Sequence, residues 1–194
     1  MIEVKEVEKF FEDRFLFRCE NLKFENKGLY IIKGPNGCGK TTFLMMLFGK
    51  DRNFNGIIEN TFYEKVMLPQ QPYFFKGSVL YNLSLSLKGE LLREAINILK
   101  AFSIDPDLNI HSLSLGQKQL VAFLRVFFAK SDVLFLDEPD SYLGSAVKDF
   151  IFDRIEKDAR NRCIIVVTHD SWETKHAKEI YFENNQIKEK GGAV

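Results

Sequence analysis

The residues best suited to chemistry lie in a glycine-rich segment that follows a short apolar run at residues 29–32. The segment has the spacing G-x-x-x-x-G-K-T and consists of Gly34, Pro35, Asn36, Gly37, Cys38, Gly39, Lys40 and Thr41. Glycines at these positions let backbone N–H groups converge on phosphate oxygens, and the N-terminus of a following helix adds positive charge. In such a loop the lysine contacts the β- and γ-phosphates, and the threonine ligates Mg²⁺. The segment therefore predicts a loop that binds a nucleoside triphosphate.

Two acidic residues provide the partners that a phosphate-binding loop requires. Asp137 directly follows the apolar run 133–136, and Glu138 comes next. A carboxylate at the end of a buried strand can hold Mg²⁺, here through water, and a second one can deprotonate an attacking water. Taken alone, the sequence Asp-Glu-Pro is also compatible with a charged turn between a strand and a helix. Beside the phosphate-binding loop, we interpret Asp137 as a metal ligand and Glu138 as the general base.

The pattern of apolar runs predicts the elements that position these residues. Continuous apolar runs, which indicate strands buried on both faces, occur at residues 29–32, 133–136 and 163–167. Helix-like stretches lie between them at residues 41–48, 117–128 and 145–155. This alternation predicts an α/β fold with a parallel sheet, whose ligands bind at the carboxyl ends of the strands. The stretch up to about residue 24 alternates between apolar and polar residues, which indicates antiparallel strands with one wet face.

The composition of the chain limits the classes of protein to which it can belong. The chain has 194 residues, of which 45% are hydrophobic, and this size suits one domain. Its 27 basic and 27 acidic residues cancel, so no general attraction to nucleic acid is expected. Charges interrupt the apolar runs, and the N-terminus lacks the apolar core of a signal peptide. Three cysteines without metal-ligand spacing fit free thiols in a reducing compartment. We expect a cytoplasmic domain that reaches a membrane only through partners.

Several motifs resemble those of the ATP-binding cassette (ABC) ATPases. Residues 113–117, Leu-Ser-Leu-Gly-Gln, resemble the LSGGQ signature of that family. Residues 136–139 continue the resemblance, and His169 looks like the family's switch histidine. Residues 68–72 look like the Q-loop, and Phe11 falls where an aromatic residue usually stacks on adenine. The motifs occur in family order and cover essentially the whole chain.

The resemblance implies a fold and a set of site residues. The fold is a P-loop NTPase core with a mostly parallel sheet, an N-terminal antiparallel β subdomain and a short helical subdomain at about 72–130, all within a single domain 1–194. ATP is expected to contact Phe11, Gly34, Pro35, Asn36, Gly37, Cys38, Gly39, Lys40, Thr41 and Thr42. The catalytic residues are expected to be Glu138, His169 and Gln70, and the Mg²⁺ ligands Thr41, Gln70 and Asp137. Two subunits are expected to join head to tail, so that the γ-phosphate bound by one contacts Ser114, Gly116 and Gln117 of the other.

Some assignments leave alternatives open. Phe11 is also compatible with a core position, in which case Phe10 is the alternative stacking residue. The signature has Leu115 where glycine is usual, and Gly144 replaces the aspartate that usually ends the D-loop. These two departures put the contact between subunits in doubt. Cys38 lies near Lys40 among backbone donors, which suggests a lowered thiol pKa, although an ordinary small residue is an equal alternative.

Three classes of function remain compatible with the sequence. The first is the motor of a membrane transporter, and the second is a soluble single-cassette ATPase such as an iron–sulfur assembly factor. The third is a module that binds ATP without hydrolysing it, which the retained Lys40, Asp137, Glu138 and His169 disfavour.

Residues 72–83 favour the transporter, because they resemble the segment that contacts the permease in transporter subunits. Phe74 and Phe75 of this segment would line the docking groove or, alternatively, fill the core of the helical subdomain. The implied partners are a second copy or a homologous ATPase subunit, membrane-spanning permease subunits and a solute-binding protein, with no nucleic acid. The implied location is peripheral, on the cytoplasmic face of the membrane. The sequence does not encode the solute.

Overall fold

The computed structural model describes residues 1–170, 172, 174 and 176–190, and this part of the chain contains nine strands and five α-helices. The strands are β1 (Ile2–Phe11), β2 (Arg14–Phe24), β3 (Gly28–Lys33), β4 (Asn55–Asn60), β5 (Lys65–Leu68), β6 (Val133–Asp137), β7 (Cys163–Val167), β8 (Ala177–Glu183) and β9 (Gln186–Glu189). The helices are α1 (Lys40–Phe48), α2 (Val79–Ser84), α3 (Gly89–Ala101), α4 (Leu115–Phe127) and α5 (Ser145–Asp158).

The described strands form one mixed sheet in the order β4-β1-β2-β9-β8-β3-β7-β6-β5. The five strands from β8 to β5 run parallel, whereas β1 pairs antiparallel with both β2 and β4. Strand β9 pairs antiparallel with β8 and meets β2 at a single parallel bridge pair, Arg18 and Gln186. The structure therefore confirms the predicted α/β class, with a mostly parallel core and an antiparallel N-terminal part.

The three predicted buried strands lie side by side in the order β3-β7-β6. Their apolar residues are buried on both faces of the sheet, as continuous apolar runs require. Val167 at the end of β7 is in register with Ile32 of β3 and Asp137 of β6. The loops that follow these three strands therefore begin at the same edge of the sheet, where the candidate chemical residues were expected.

The sheet separates two apolar clusters. On the side of α1, the rings of Phe17, Phe43 and Phe182 pack edge to face, with centroids 5.3–5.9 Å apart. Phe17 belongs to β2, so the antiparallel part of the sheet packs directly onto the helix that follows the phosphate-binding loop. Helices α2 to α5 contribute to the cluster on the other side.

The segment between β5 and β6 is mainly helical. It contains α2, α3 and α4, and so includes the span 72–130 that we expect to form the helical subdomain. Helix α3 is amphipathic and buries Ala95, Ile98 and Leu99. Ser78 caps the N-terminus of helix α2, and its hydroxyl oxygen accepts a hydrogen bond from the Tyr81 N–H. Among the described residues, no helix is long and apolar enough to cross a membrane.

Candidate nucleotide-binding and hydrolysis site

The loop between β3 and α1 has the conformation of a phosphate cradle. Gly37 and Gly39 have φ values of 74° and 107°, in the left-handed region that favours glycine. A Cβ atom on Gly39 would also lie 2.8 Å from the Phe17 ring, so this position excludes any side chain. The Lys40 ammonium folds back over the loop and donates hydrogen bonds of 2.9 Å to the carbonyl oxygens of Gly34 and Pro35. The loop thus holds the positively charged Lys40 ammonium where phosphate oxygens would bind.

Asp137 and Thr41 bring oxygen ligands together beside this loop. The Thr41 hydroxyl donates a hydrogen bond of 3.1 Å to Asp137 Oδ1. The other carboxylate oxygen, Oδ2, is buried and has no hydrogen-bond partner among the described residues. Burial raises the pKa of the Asp137 carboxyl to about 6, because the charged form is poorly solvated there. An unpartnered buried carboxylate oxygen next to a hydroxyl suits a small hard cation, so these residues fit Mg²⁺.

Glu138 lies next to them in a strained backbone conformation. Its φ of 50° is unusual for a residue other than glycine, and such strain often occurs at functional sites. The backbone is held on both sides, because its N–H donates to the Val167 carbonyl and its carbonyl accepts from Gln119 Nε2. The carboxylate is held as well: the Ser141 hydroxyl donates to Oε2 at 3.0 Å, and His169 Nε2 lies 3.1 Å from Oε1.

A cleft of about 600 Å³ brings most of the predicted site residues together. It is lined by Phe11, Leu16, Asn36, Gly37, Gly39, Lys40, Thr41, Thr42, Gln70, Glu138 and His169. The phosphate-binding loop also contains Gly34, Pro35 and Cys38. Asp137 does not line the cleft itself, but its carboxylate accepts a hydrogen bond from Thr41, which does. Phe11 is 64% exposed, which excludes the core position considered from the sequence. Phe10 packs against Phe15 instead, with ring centroids 5.3 Å apart, and does not line the cleft.

The three signature residues lie outside this cleft, at the N-terminus of α4. Ser114 caps the helix: its hydroxyl oxygen accepts from the Gln117 N–H, and its own N–H donates to Gln117 Oε1. Leu115 is 61% exposed, and a Cβ on Gly116 would lie 2.5 Å from the Tyr142 carbonyl oxygen. The first N–H groups of a helix lack intrahelical partners and attract anions, so this end of α4 suits an anionic group.

A family model described as ABC transporter matches residues 18–141 of the chain. The chain belongs to this family. It is an ATP-binding, ATP-hydrolysing subunit of the ABC transporter type. The relatives described next include transport subunits, which favours the transporter over the soluble assembly factor. The retained Lys40, Asp137, Glu138 and His169 argue against the binding-only module.

The ABC relatives include the tungstate uptake ATP-binding protein TupC of Peptoclostridium acidaminophilum, at 27% identity over 98% of each chain. The zinc import ATP-binding protein ZnuC of Ehrlichia canis is 28% identical, with 88% of this chain and 74% of ZnuC covered. Among solved structures, an ATP-binding subunit of an ABC transporter has a TM-score of 0.84 at 19% identity, covering 98% of this chain and 89% of its own. A cassette solved as a dimer with ADP and phosphate has a TM-score of 0.80 at 22% identity, with 98% of both chains covered. The two structural likenesses confirm the fold.

Three polar residues of this ABC ATPase were not predicted as part of the site. Gln119 and Ser141 hold Glu138 in the way described above, and Asp140 contacts the residue before His169. No sequence signal was available for Gln119, because it ends the polar run 117–119 and its burial, at 4% exposed, is visible only in the structure. Ser141 and Asp140 gave no signal either, because they lie in a turn where polar residues are usual.

The structure contradicts the lowered thiol pKa suggested for Cys38. Burial raises the pKa of this thiol, and the nearby Lys40 ammonium offsets the rise only in part. Cys38 is nevertheless the most accessible of the three thiols. Cys19 and Cys163 are buried in the sheet, and burial raises the pKa of each to about 12.

We expect Cys38 to be alkylated slowly at neutral pH, since a raised pKa leaves little of the reactive thiolate. Iodoacetamide at pH 7.5 should modify it more slowly than it modifies glutathione, and the rate should rise with pH through 9. Mass spectrometry of the native protein should show one modified cysteine, and Mg-ATP should protect it. A Cys38→Ala variant should remain unmodified until it is unfolded. A rate above that of glutathione at pH 7.5 would contradict the raised pKa.

Proposed function

We propose that this ABC ATPase closes around ATP together with a second copy, or with a homologous ATPase subunit, and thereby drives a solute through separate membrane-spanning subunits. The observation that carries this proposal is the cleft that joins the phosphate-binding loop to Glu138 and His169. Hydrolysis in this cleft would reopen the dimer. The subunit would act at the cytoplasmic face of the membrane, where its partners hold it.

In the proposed reaction, Phe11 stacks on adenine and the loop amides and Lys40 hold the phosphates. Thr41, Asp137 and Gln70 would hold Mg²⁺, which neutralises charge on the phosphates when bound. Glu138 takes a proton from the attacking water, and His169 keeps the Glu138 carboxylate in place. The two contacts on this carboxylate, from Ser141 and His169, fix its orientation before the nucleotide arrives.

The proposed dimer follows from the separation of the signature from the cleft. Ser114, Gly116 and Gln117, at the N-terminus of α4, do not line the cleft of their own chain. Head-to-tail closure would bring these residues to the γ-phosphate held by the partner. Leu115 and Tyr142 are both largely exposed on this face, and closure would bury them. The apolar area buried at these two side chains would favour the closed dimer.

Two aromatic side chains near the Q-loop form the proposed docking surface for the membrane subunits. Tyr73 and Phe75 are 70% and 47% exposed, and their rings pack edge to face with centroids 5.1 Å apart. Phe74 points the other way: it packs on the helical cluster beneath the Arg125 guanidinium, 5.1 Å from its ring centroid. The buried Asn82 side chain fixes the segment, since it bonds both the N–H and the carbonyl of Phe75.

The two neighbouring phenylalanines therefore differ in the role we propose for them. Phe74 fills the core, as one alternative from the sequence had it, and Phe75 is available as an anchor for an apolar helix of the permease. Choice of the transported solute is assigned to the permease and a solute-binding protein. The relatives fit this division, because subunits similar to this one are named for solutes as different as tungstate and zinc.

Substitution of Phe75 by glutamate should release the subunit from its membrane partners while leaving the fold and ATP binding intact. A charged side chain is tolerated on the surface but not in an apolar groove. The tagged protein, expressed in its native cell, should move from the membrane fraction to the soluble fraction, and permease subunits should no longer co-purify. Tyr63→Glu is the matched control, since Tyr63 is an exposed aromatic on the β4–β5 turn. Unchanged co-purification of Phe75→Glu with the permease would refute the docking surface.

A further inference from the structure

The loop that carries His169 is attached to the segment that follows Glu138. Asp140, in that segment, accepts a hydrogen bond of 2.9 Å from the Thr168 hydroxyl through its Oδ2 atom. The same hydroxyl oxygen accepts a hydrogen bond of 3.0 Å from the N–H of Asp170. The residues on both sides of His169 are thus connected to one carboxyl group.

A second contact holds the same loop to α5. Lys148, in the first turn of α5, forms an ion pair with the Asp170 carboxylate. The hydrogen bond from the Lys148 ammonium lowers the pKa of the Asp170 carboxyl. The Asp140 carboxyl, by contrast, has its pKa raised by burial. Asp170 forms the ion pair with Lys148, and Asp140 contributes to the attachment of the loop through its hydrogen bond with Thr168.

An aspartate at position 140 lowers the stability of the folded protein. Asp140 is only 6% exposed, and its Oδ1 atom has no hydrogen-bond partner among the described residues. A buried carboxyl with one unsatisfied oxygen costs free energy compared with an apolar side chain of similar size. Stability alone therefore does not account for an aspartate here.

We propose that Asp140 is a positioning residue for hydrolysis, which holds Thr168 and thereby keeps His169 at hydrogen-bond distance from Glu138. The inference rests on the proposed roles of Glu138 and His169. The geometry supports it, because Glu138 Oε1 and His169 Nε2 are 3.1 Å apart although 43% of the His169 side chain is exposed. Without a fixed loop, an exposed side chain would sample several rotamers and meet the carboxylate only part of the time.

Asp140→Leu tests the inference, since leucine has a similar volume and accepts no hydrogen bond. The turnover number for ATP should fall about tenfold, as expected for losing a hydrogen bond that orders a catalytic group. The KM for ATP and the affinity for a fluorescent ATP analogue should stay within about twofold, because Asp140 does not line the cleft. The melting temperature should be equal or higher. Asp140→Asn keeps an acceptor for Thr168 and should restore most of the turnover.

A double-mutant cycle with Thr168→Val shows whether the two residues act as one unit. If they do, the double variant should turn over ATP no more slowly than the slower single variant. Multiplicative losses would overturn the inference, as would an unchanged turnover number in either Asp140→Leu or Thr168→Val, or a loss that appears in KM alone. Glu138→Gln and His169→Ala belong in the same assay. Wild-type turnover in these two would refute the proposed catalytic roles themselves, whereas slow turnover in them with normal Asp140→Leu would refute only the positioning role.

Discussion

Replacing Glu138 by glutamine should remove nearly all ATP turnover and leave ATP binding almost unchanged. Glutamine has the shape of glutamate and can still bond Ser141 and His169, but it cannot accept the proton of the attacking water. Loss of a general base typically lowers a rate by ~10² to 10⁴. The phosphate contacts of Lys40 and Thr41 are independent of this carboxylate. The substitution also removes a negative charge close to the γ-phosphate, which should favour the closed, ATP-bound dimer.

Light scattering with Mg-ATP measures this directly. Glu138→Gln should form a stable dimer, and the wild type should dimerise only transiently. Lys40→Ala serves as the control, because it should lose hydrolysis through poor phosphate binding and remain monomeric. A Glu138→Gln protein that binds ATP but stays monomeric would exclude the self-closing dimer and indicate an asymmetric partner. Near wild-type hydrolysis by this variant would show that Glu138 is not the base.

Adding a single methyl group at Gly116 should impair both folding stability and turnover. Gly116 lies in the first turn of α4, where alanine alone would stabilise the helix by about 1 kcal/mol. The new Cβ would however lie 2.5 Å from the backbone carbonyl oxygen of Tyr142, so one of the two segments must move. Overpacking of this kind costs ~1–3 kcal/mol. We expect Gly116→Ala to unfold more easily than wild type, against the trend of helix propensity.

Turnover by Gly116→Ala should fall about tenfold to hundredfold, since each ~1.4 kcal/mol of displaced transition-state contact costs a factor of ten. Gly144→Ala is the matched control: a Cβ there meets no atom within 4 Å, and its φ of −72° suits any residue. Gly144 is the N-cap of α5, where alanine is less favourable than glycine, so this variant should lose about 0.5–1 kcal/mol of unfolding free energy without any steric conflict. Thermal unfolding and steady-state ATP hydrolysis on both variants decide the matter. If the two variants have the same unfolding free energy and the same ATP turnover, the close approach of Tyr142 to α4 contributes neither to stability nor to hydrolysis.

The sequence predicted the central part of the fold because burial on both faces leaves a clear pattern. Strands β3, β6 and β7 are continuous apolar runs, and each is followed by a site residue or loop. Strands β4 and β5 gave no comparable pattern, since their residues are mostly exposed or half-buried. Strands like these are specified by their neighbours in the sheet and not by their own periodicity. The predicted subdomain boundaries and the roles of the individual site residues stay predictions.

Which residues meet in the cleft followed from motif order, whereas how they hold one another did not. Glu138 has a left-handed backbone conformation, and its carboxylate contacts both Ser141 and His169. No sequence pattern predicts this backbone conformation at a glutamate. The prediction of a lowered thiol pKa for Cys38 was wrong for a related reason. The sequence showed a lysine two residues away, but burial, which is a tertiary property, has the larger effect on the thiol.

The single bridge pair between β2 and β9 has a consequence for how the subunit responds to nucleotide. Phe11 belongs to the antiparallel part of the sheet, while Lys40 follows a strand of the parallel part. Across this seam Phe17 packs on Phe182, and apolar contacts tolerate small sliding movements that a hydrogen-bonded ladder resists. ATP would contact both sides of the seam at once. We therefore expect the free subunit to allow a shear displacement of one part past the other, and the bound nucleotide to restrict it.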